Sequence, residues 1–236
     1  MNRVEPIKDA EKLKWIQEDL AGRTDAHGER MFLMFALGIH TGLRISDLVR
    51  LRVENVSGDS ICTIEKKTRK ETRLPLNATI RAIIQDRTRG MDGRALLFPS
   101  KFGDGDGNQK AITTRTAYND MDIIRHRYGL TGKVGCHTLR KTFGYWHYKK
   151  NHDLELLRQW FNHTSQSVTL RYIGMDDEEK RKSVEGFNPG GAVYIPRGSI
   201  NRGKPKAQGT PIEITRLDRE KQGRMMGERA AAARKK

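Results

Sequence analysis

Six side chains of this 236-residue chain are of types that can hold an anion, move a proton or attack an electrophile. Arg44 follows the run Thr41-Gly42-Leu43 and precedes a short amphipathic stretch, Ile45-Ser46-Asp47-Leu48. Lys67 stands in the polar interval Lys66 to Glu71 between two strand-like runs. His137 and Arg140 lie three apart, on one face if helical. His163 opens a polar loop, and Tyr172 follows nine residues later. Guanidinium and ammonium groups can fix an anion, imidazoles can exchange protons, and a phenol becomes a nucleophile once a base takes its proton. Singly, each has a plainer explanation: a surface arginine, a solvated turn lysine, a helix-start histidine with a salt-bridging arginine, a core tyrosine.

The elements that would position these groups are legible in outline. Leu13, Trp15, Ile16 and Leu20 mark a helix over about Ile7 to Leu20. Glu29 to His40 is apolar nearly all round and belongs in a core; Thr41-Gly42 stops it, because glycine accepts the left-handed conformation at a helix end. A short helix over Ile45 to Leu51 follows. Ser60 to Glu65 and Thr72 to Leu76 read as a β-hairpin with a charged tip. Asn77 can cap a helix reaching about Arg87. Arg89 to Asn108 reads as irregular, with one short buried segment around Leu96-Leu97-Phe98. Further helices are predicted at Thr113–Tyr128, Thr138–Lys150, Leu154–Phe161, Ser167–Tyr172 and Asp177–Val184. The fold class is α+β, mainly α: one helical domain over 1–189 with a small antiparallel β-hairpin, then a basic C-terminal tail over 190–236. The tail carries twelve Lys/Arg against four Asp/Glu and reads either as a disordered extension that gains structure on DNA or as a loose segment without a role.

The net charge of +16 favours a polyanionic partner, since each cation beside a phosphate releases a condensed counterion. Cys62 and Cys136 lack CxxC spacing and read as buried thiols, not as a disulfide or metal pair. With no apolar run of membrane-spanning length and no signal-peptide stretch over Met1 to Asp19, the expectation is a cytoplasmic, DNA-associated protein. Three cofactor motifs fail. Gly198 to Lys204 has phosphate-loop spacing, but Pro205 stands where a magnesium-binding hydroxyl belongs. Asp104 to Asn108 opens like a calcium loop, yet Gln109 and Arg115 occupy the positions of the required Gly and Glu. His147 and His152 lie five apart with no acidic partner between them arranged as in a zinc protease. No cofactor and no metal are expected.

Order and spacing together change the reading of the six groups. The chain resembles the tyrosine recombinase (phage integrase) family, which has an Arg in a TGLR box, a Lys in a β-hairpin, an HxxR box and a Tyr nine residues after a histidine. Arg44 matches the first box, Lys67 lies eight residues before Pro75 as in family hairpins, His137-Thr138-Leu139-Arg140 matches HxxR, and His163 and Tyr172 match the last two. Asp47 replaces the family's usual Glu, and Asn162 replaces the Gly before the histidine, a position where Asn also tolerates positive φ. Only about forty residues precede Arg44, so the resemblance is to catalytic-domain-only members.

The resemblance implies the tyrosine recombinase catalytic fold and a site-specific recombinase working through a 3′-phosphotyrosyl intermediate, without metal or ATP. Tyr172 is then the nucleophile and His137 its base. Arg44 and Arg140 stabilise the charged transition state, His163 hydrogen-bonds the phosphate, and Lys67 protonates the leaving 5′-oxygen. Partners so implied are double-stranded DNA, a homo-tetramer on paired sites, and accessory DNA-bending proteins. Lys66, Arg69, Lys70, Arg115 and Lys141 are candidates for DNA phosphates. Two alternatives stay open: a strand-swivelling topoisomerase, and a catalytically silent DNA-binding regulator on the same scaffold.

Overall fold

A computed structural model describes residues 4–64, 71–103, 109–175, 181, 182, 184, 185 and 187. The chain opens with an extended segment, Val4 to Asp9, before helix α1 (Ala10–Ala21). The predicted start at Ile7 is three residues early. The Asp9 carboxylate accepts from the Lys12 N–H and so caps the helix there. Helix α2 (Ala26–Thr41), by contrast, starts earlier than predicted, because Asp25 accepts from the N–H groups of His27 and Gly28. It ends as expected: Gly42 takes φ +64 and donates to the Gly38 carbonyl.

Helix α3 (Ile45–Leu48) is shorter than expected and leads through a turn into a 3-10 segment, Val53–Val56. Strands β1 (Ser60–Ile64) and β2 (Glu71–Pro75) pair antiparallel with Ile61 opposite Leu74. The hairpin tip, with Lys66, Lys67, Arg69 and Lys70, lies outside the described residues, as do the tail over 190–236 and most of the stretch predicted as Asp177–Val184. Helix α4 (Ala78–Thr88) is capped by Asn77, whose side chain accepts from Ile80 N–H. The irregular region does contain a buried piece, Leu96 to Phe98, which bridges to Arg52 and, through Pro99, to Ala111. Helices α5 (Thr114–Arg127), α6 (Thr138–Asn151), α7 (Leu154–Phe161) and α8 (Gln166–Ile173) complete the order, capped by Thr113, Asp153 and Ser165 at the starts of α5, α7 and α8.

The larger core collects Ile16, Leu20, Met34, Leu37, Leu48, Ile61, Ile80, Phe98, Met121 and Leu139, so α2 is buried nearly all round as its composition implied. A smaller cluster of Phe143, Tyr145, Leu157, Phe161, Ile173 and Met175 joins α6, α7 and α8. Helix α6 belongs to both, and for that reason residues 138–145 are buried on every side. Two glycines permit close contact there: a Cβ at position 38 would come within 2.6 Å of Leu139, and one at 144 within 2.6 Å of Ile173 and 2.8 Å of Phe161.

The cysteine reading is corrected. Cys62 is exposed, because its position in β1 faces outward, and Cys136 is only half-buried. Among the described residues no helix is long and apolar enough to cross a membrane, and no three His, Cys, Asp or Glu side chains gather where a metal ion could be held. His147 packs on Phe143 and Trp160, while His152 takes the left-handed cap of α6 and packs on Tyr148.

Candidate active site

Five of the six predicted residues meet where the end of α2, the start of α6 and the α7–α8 junction come together; the sixth, Lys67, is outside the described residues. Arg44 is placed by the left-handed turn at Gly42. The chain leaves α2, Leu43 packs into the core, and Arg44 becomes the N-cap residue of α3, its carbonyl accepting from Asp47 and Leu48. Trp160 of α7 donates to the Thr41 carbonyl at 2.9 Å and ties this turn to the opposite wall.

Arg140 is 4% exposed and heavily constrained. One guanidinium nitrogen donates to the Gly42 carbonyl at 2.6 Å, another to the Phe161 carbonyl at 3.1 Å, and the group stacks 4.2 Å from the centre of the Phe161 ring. Both carbonyls belong to helix ends, whose last C=O groups have no partner within their own helix. Arg140 thus satisfies α2 and α7 while its fork is held in one orientation.

His137 occupies the N-cap position of α6 but makes no capping bond. Its Nδ1 lies instead 3.2 Å from the Tyr172 Oη. Thr138 supports the turn in its place, accepting from the Gly135 N–H at 3.1 Å.

His163 follows the end of α7, where Asn162 adopts φ 52, ψ 45. The expected tolerance of asparagine for this turn is therefore used. The His163 carbonyl accepts from Arg158 at 2.9 Å, and its Nδ1 lies 3.0 Å from the Thr169 Oγ1. Arg158 is itself gripped by Glu155, which also accepts from Gln159 and Gln166. These bonds push the Glu155 carboxyl down to about 2, Arg158 foremost. Tyr172, on the last turn of α8, is half-buried with its ring edge-to-face on His163 and Phe161.

The electrostatics bear on the two rings in different ways. Burial, then the charges of Arg140 and Arg44, push His163 down to about 4, so it is neutral near pH 7. Burial pushes the Tyr172 phenol up, while Arg140 and Arg44 pull it down without cancelling that effect. A resting phenol beside a histidine nitrogen and two arginines needs a base to become a nucleophile, and His137 is at the distance a base requires.

Three contributors carry no mark in the sequence motifs: Thr169, which bonds His163; Arg158, which holds that loop; and Lys141, which is 6% exposed with its Nζ 5.0 Å from the centre of the Tyr172 ring. The expectation that Lys141 serves a DNA phosphate is not met, because residue 141 faces into the buried side of α6. Arg115, by contrast, is exposed on α5, with its guanidinium 5.4 Å from the centre of the Tyr118 ring.

A sequence model of the Phage integrase family matches residues 9–179. The chain is 33% identical over 188 residues to the probable integrase/recombinase YoeC of Bacillus subtilis (strain 168), covering 79% of this chain and 98% of that one. It is 28% identical over 162 residues to the tyrosine recombinase XerC of Caldanaerobacter subterraneus subsp. tengcongensis, covering 66% of this chain but 44% of that one, so it spans less than half of that longer relative. Among solved structures, the catalytic domain of bacteriophage HP1 integrase shares the fold at TM-score 0.54 and 17% identity, covering 81% of this chain and all (100%) of that one. XerH recombinase bound to palindromic difH substrate does so at 0.57 and 22%, covering 78% of this chain and 54% of that one. With a family match over most of its length and the tyrosine recombinase catalytic fold around Arg44, His137, Arg140, His163 and Tyr172, the chain belongs to the phage integrase family of tyrosine recombinases.

Proposed function

We propose that this protein is a site-specific DNA recombinase that cleaves and rejoins DNA through Tyr172. The observation that carries the reading is the 3.2 Å separation of the Tyr172 Oη from His137 Nδ1, beside the fixed guanidinium of Arg140. His137 accepts the phenol proton as Oη attacks a backbone phosphorus. The bond to the 5′-oxygen breaks, that oxygen takes a proton from Lys67, and a 3′-phosphotyrosyl bond remains. A free 5′-hydroxyl later reverses the step and rejoins the strand. Arg44 and Arg140 answer the charge on the non-bridging oxygens, and the neutral His163 hydrogen-bonds them.

DNA as the partner is supported by the net charge of +16 and by the DNA held in the XerH complex of the same fold. Exchange of strands between two duplexes needs four such sites, hence a homo-tetramer on paired DNA.

The test is a detergent-stable covalent adduct on nicked duplexes taken from the DNA flanking the gene. Wild type is expected to form it, and Tyr172→Phe is not. An adduct persisting in Tyr172→Phe overturns the assignment of the nucleophile. Tight, specific binding of a flanking site with no adduct from wild type favours the regulator reading instead.

A further inference from the structure

A lysine buried to 6% exposure needs a reason, since lysines are almost never fully buried unless paired. The Nζ of Lys141 donates to the Val4 carbonyl at 2.8 Å and stands over the face of the Tyr172 ring. That carbonyl is itself fixed. Glu5 N–H donates to the Lys133 carbonyl at 3.0 Å, Ile7 N–H to Thr142 Oγ1 at 2.9 Å, and Trp146 Nε1 to the Ile7 carbonyl at 3.0 Å. The ammonium is therefore held against the tyrosine by backbone.

We propose that Lys141 is a positioning residue for the cleavage step: its charge, tethered through Val4 to the ring face of Tyr172, favours the phenolate over the phenol. This rests on the reading of Tyr172 as nucleophile. A cation is attracted to an aromatic face, and more strongly once the ring carries part of a phenolate's charge. Arg44 and Arg140 also act on this phenol through their charge, while His137 and His163 flank it. When a phosphate anion sits between the two guanidiniums, it offsets much of their pull on the phenolate. Lys141, anchored to Val4, keeps its charge on the tyrosine at that moment.

The experiment needs no DNA. Tetranitromethane attacks the phenolate ring, so the rate of Tyr172 nitration, read by peptide mass spectrometry over roughly pH 7 to 9, follows the phenolate population. The full-length protein is used, with nitration of the exposed Tyr118 as internal reference. Lys141→Gln keeps a donor for the Val4 carbonyl and loses the charge. It is expected to move the Tyr172 profile about one unit to higher pH, about a tenfold slower reaction at any one pH. Lys141→Met is expected to do the same and Lys141→Arg to keep the wild-type profile. A loosened site would speed nitration, so slowing cannot come from partial unfolding. Should Lys141→Gln melt early, the comparison is between Lys141→Met and Lys141→Arg. Wild-type nitration rates in a folded neutral variant, or equal slowing in Lys141→Arg, overturn the proposal. An adduct from Tyr172→Phe would instead overturn the nucleophile reading, so the two failures are told apart.

Discussion

His163 is a neutral ring near pH 7, half-buried beside the charges of Arg140 and Arg44. Thr169, fully buried on α8, takes the Nδ1 side, and Arg158 holds the backbone carbonyl, so the other edge of the ring is set by the fold and not by solvent. Its depressed pKa of about 4 has a measurable consequence. The folded value lies below the ordinary value of about 6.5, so the unfolded chain takes up the proton first. The contribution of His163 to stability is complete above about pH 6.5 and declines as pH falls toward about 4. Urea midpoints of wild type minus those of His163→Gln should fall across that window; a flat difference contradicts a neutral His163. At this scale the five motif residues that meet in the structure were readable from order and spacing, because each holds a fixed offset to a neighbour along the chain. Thr169 and Lys141 were not. What they do depends on which side chain lies across the packing from them, and no spacing encodes that.

Two left-handed turns deliver two of the five site residues: Gly42 closes α2 and releases Arg44, and Asn162 closes α7 and releases His163. Arg140 then reads both helix ends at once, through the carbonyls of Gly42 and Phe161. The distance between these ends depends on how closely α6 packs, which Gly144 controls. An alanine there gains about 1 kcal/mol in helix propensity. Its Cβ, however, meets the fully buried Phe161 and Ile173 inside 3 Å. Overpacking should win, for a net destabilisation of about 1–2 kcal/mol in urea unfolding. A more stable Gly144→Ala would show that α6 and α8 can separate freely. The helices were legible from apolar period, and the glycine stop at 42 from composition. The early starts of α2 and late start of α1 were not, because Asp9 and Asp25 are ordinary surface residues until their carboxylates are seen to cap. The 3-10 segment Val53–Val56 has too short a period to stand out in sequence.

Over the whole molecule, charge is unevenly placed along the chain: residues 190–236 carry eight of the sixteen net positive charges. Truncation after Pro189 should weaken binding to nonspecific duplex and flatten the dependence of affinity on salt, measured by fluorescence anisotropy at several salt concentrations. An unchanged slope would mean those charges never reach phosphate. This balance was plain from composition, whereas the division of the interior into two clusters bridged by α6 was not, since it depends on which apolar faces meet. The opening segment Val4 to Asp9 has a consequence in time as well as in space. Its partners lie far along the chain: Ile7 bonds Thr142 and Val4 bonds Lys141, 135 and 137 residues on, and Lys8 bonds the Gly174 carbonyl, 166 residues on. Contacts that close such long loops form late, after the local helices they join. As the chain leaves the ribosome, this segment must wait for α6 and α8, which follow it along the sequence, before it can dock. The surroundings of Tyr172 are thus completed only after α8 has been made and this segment has docked.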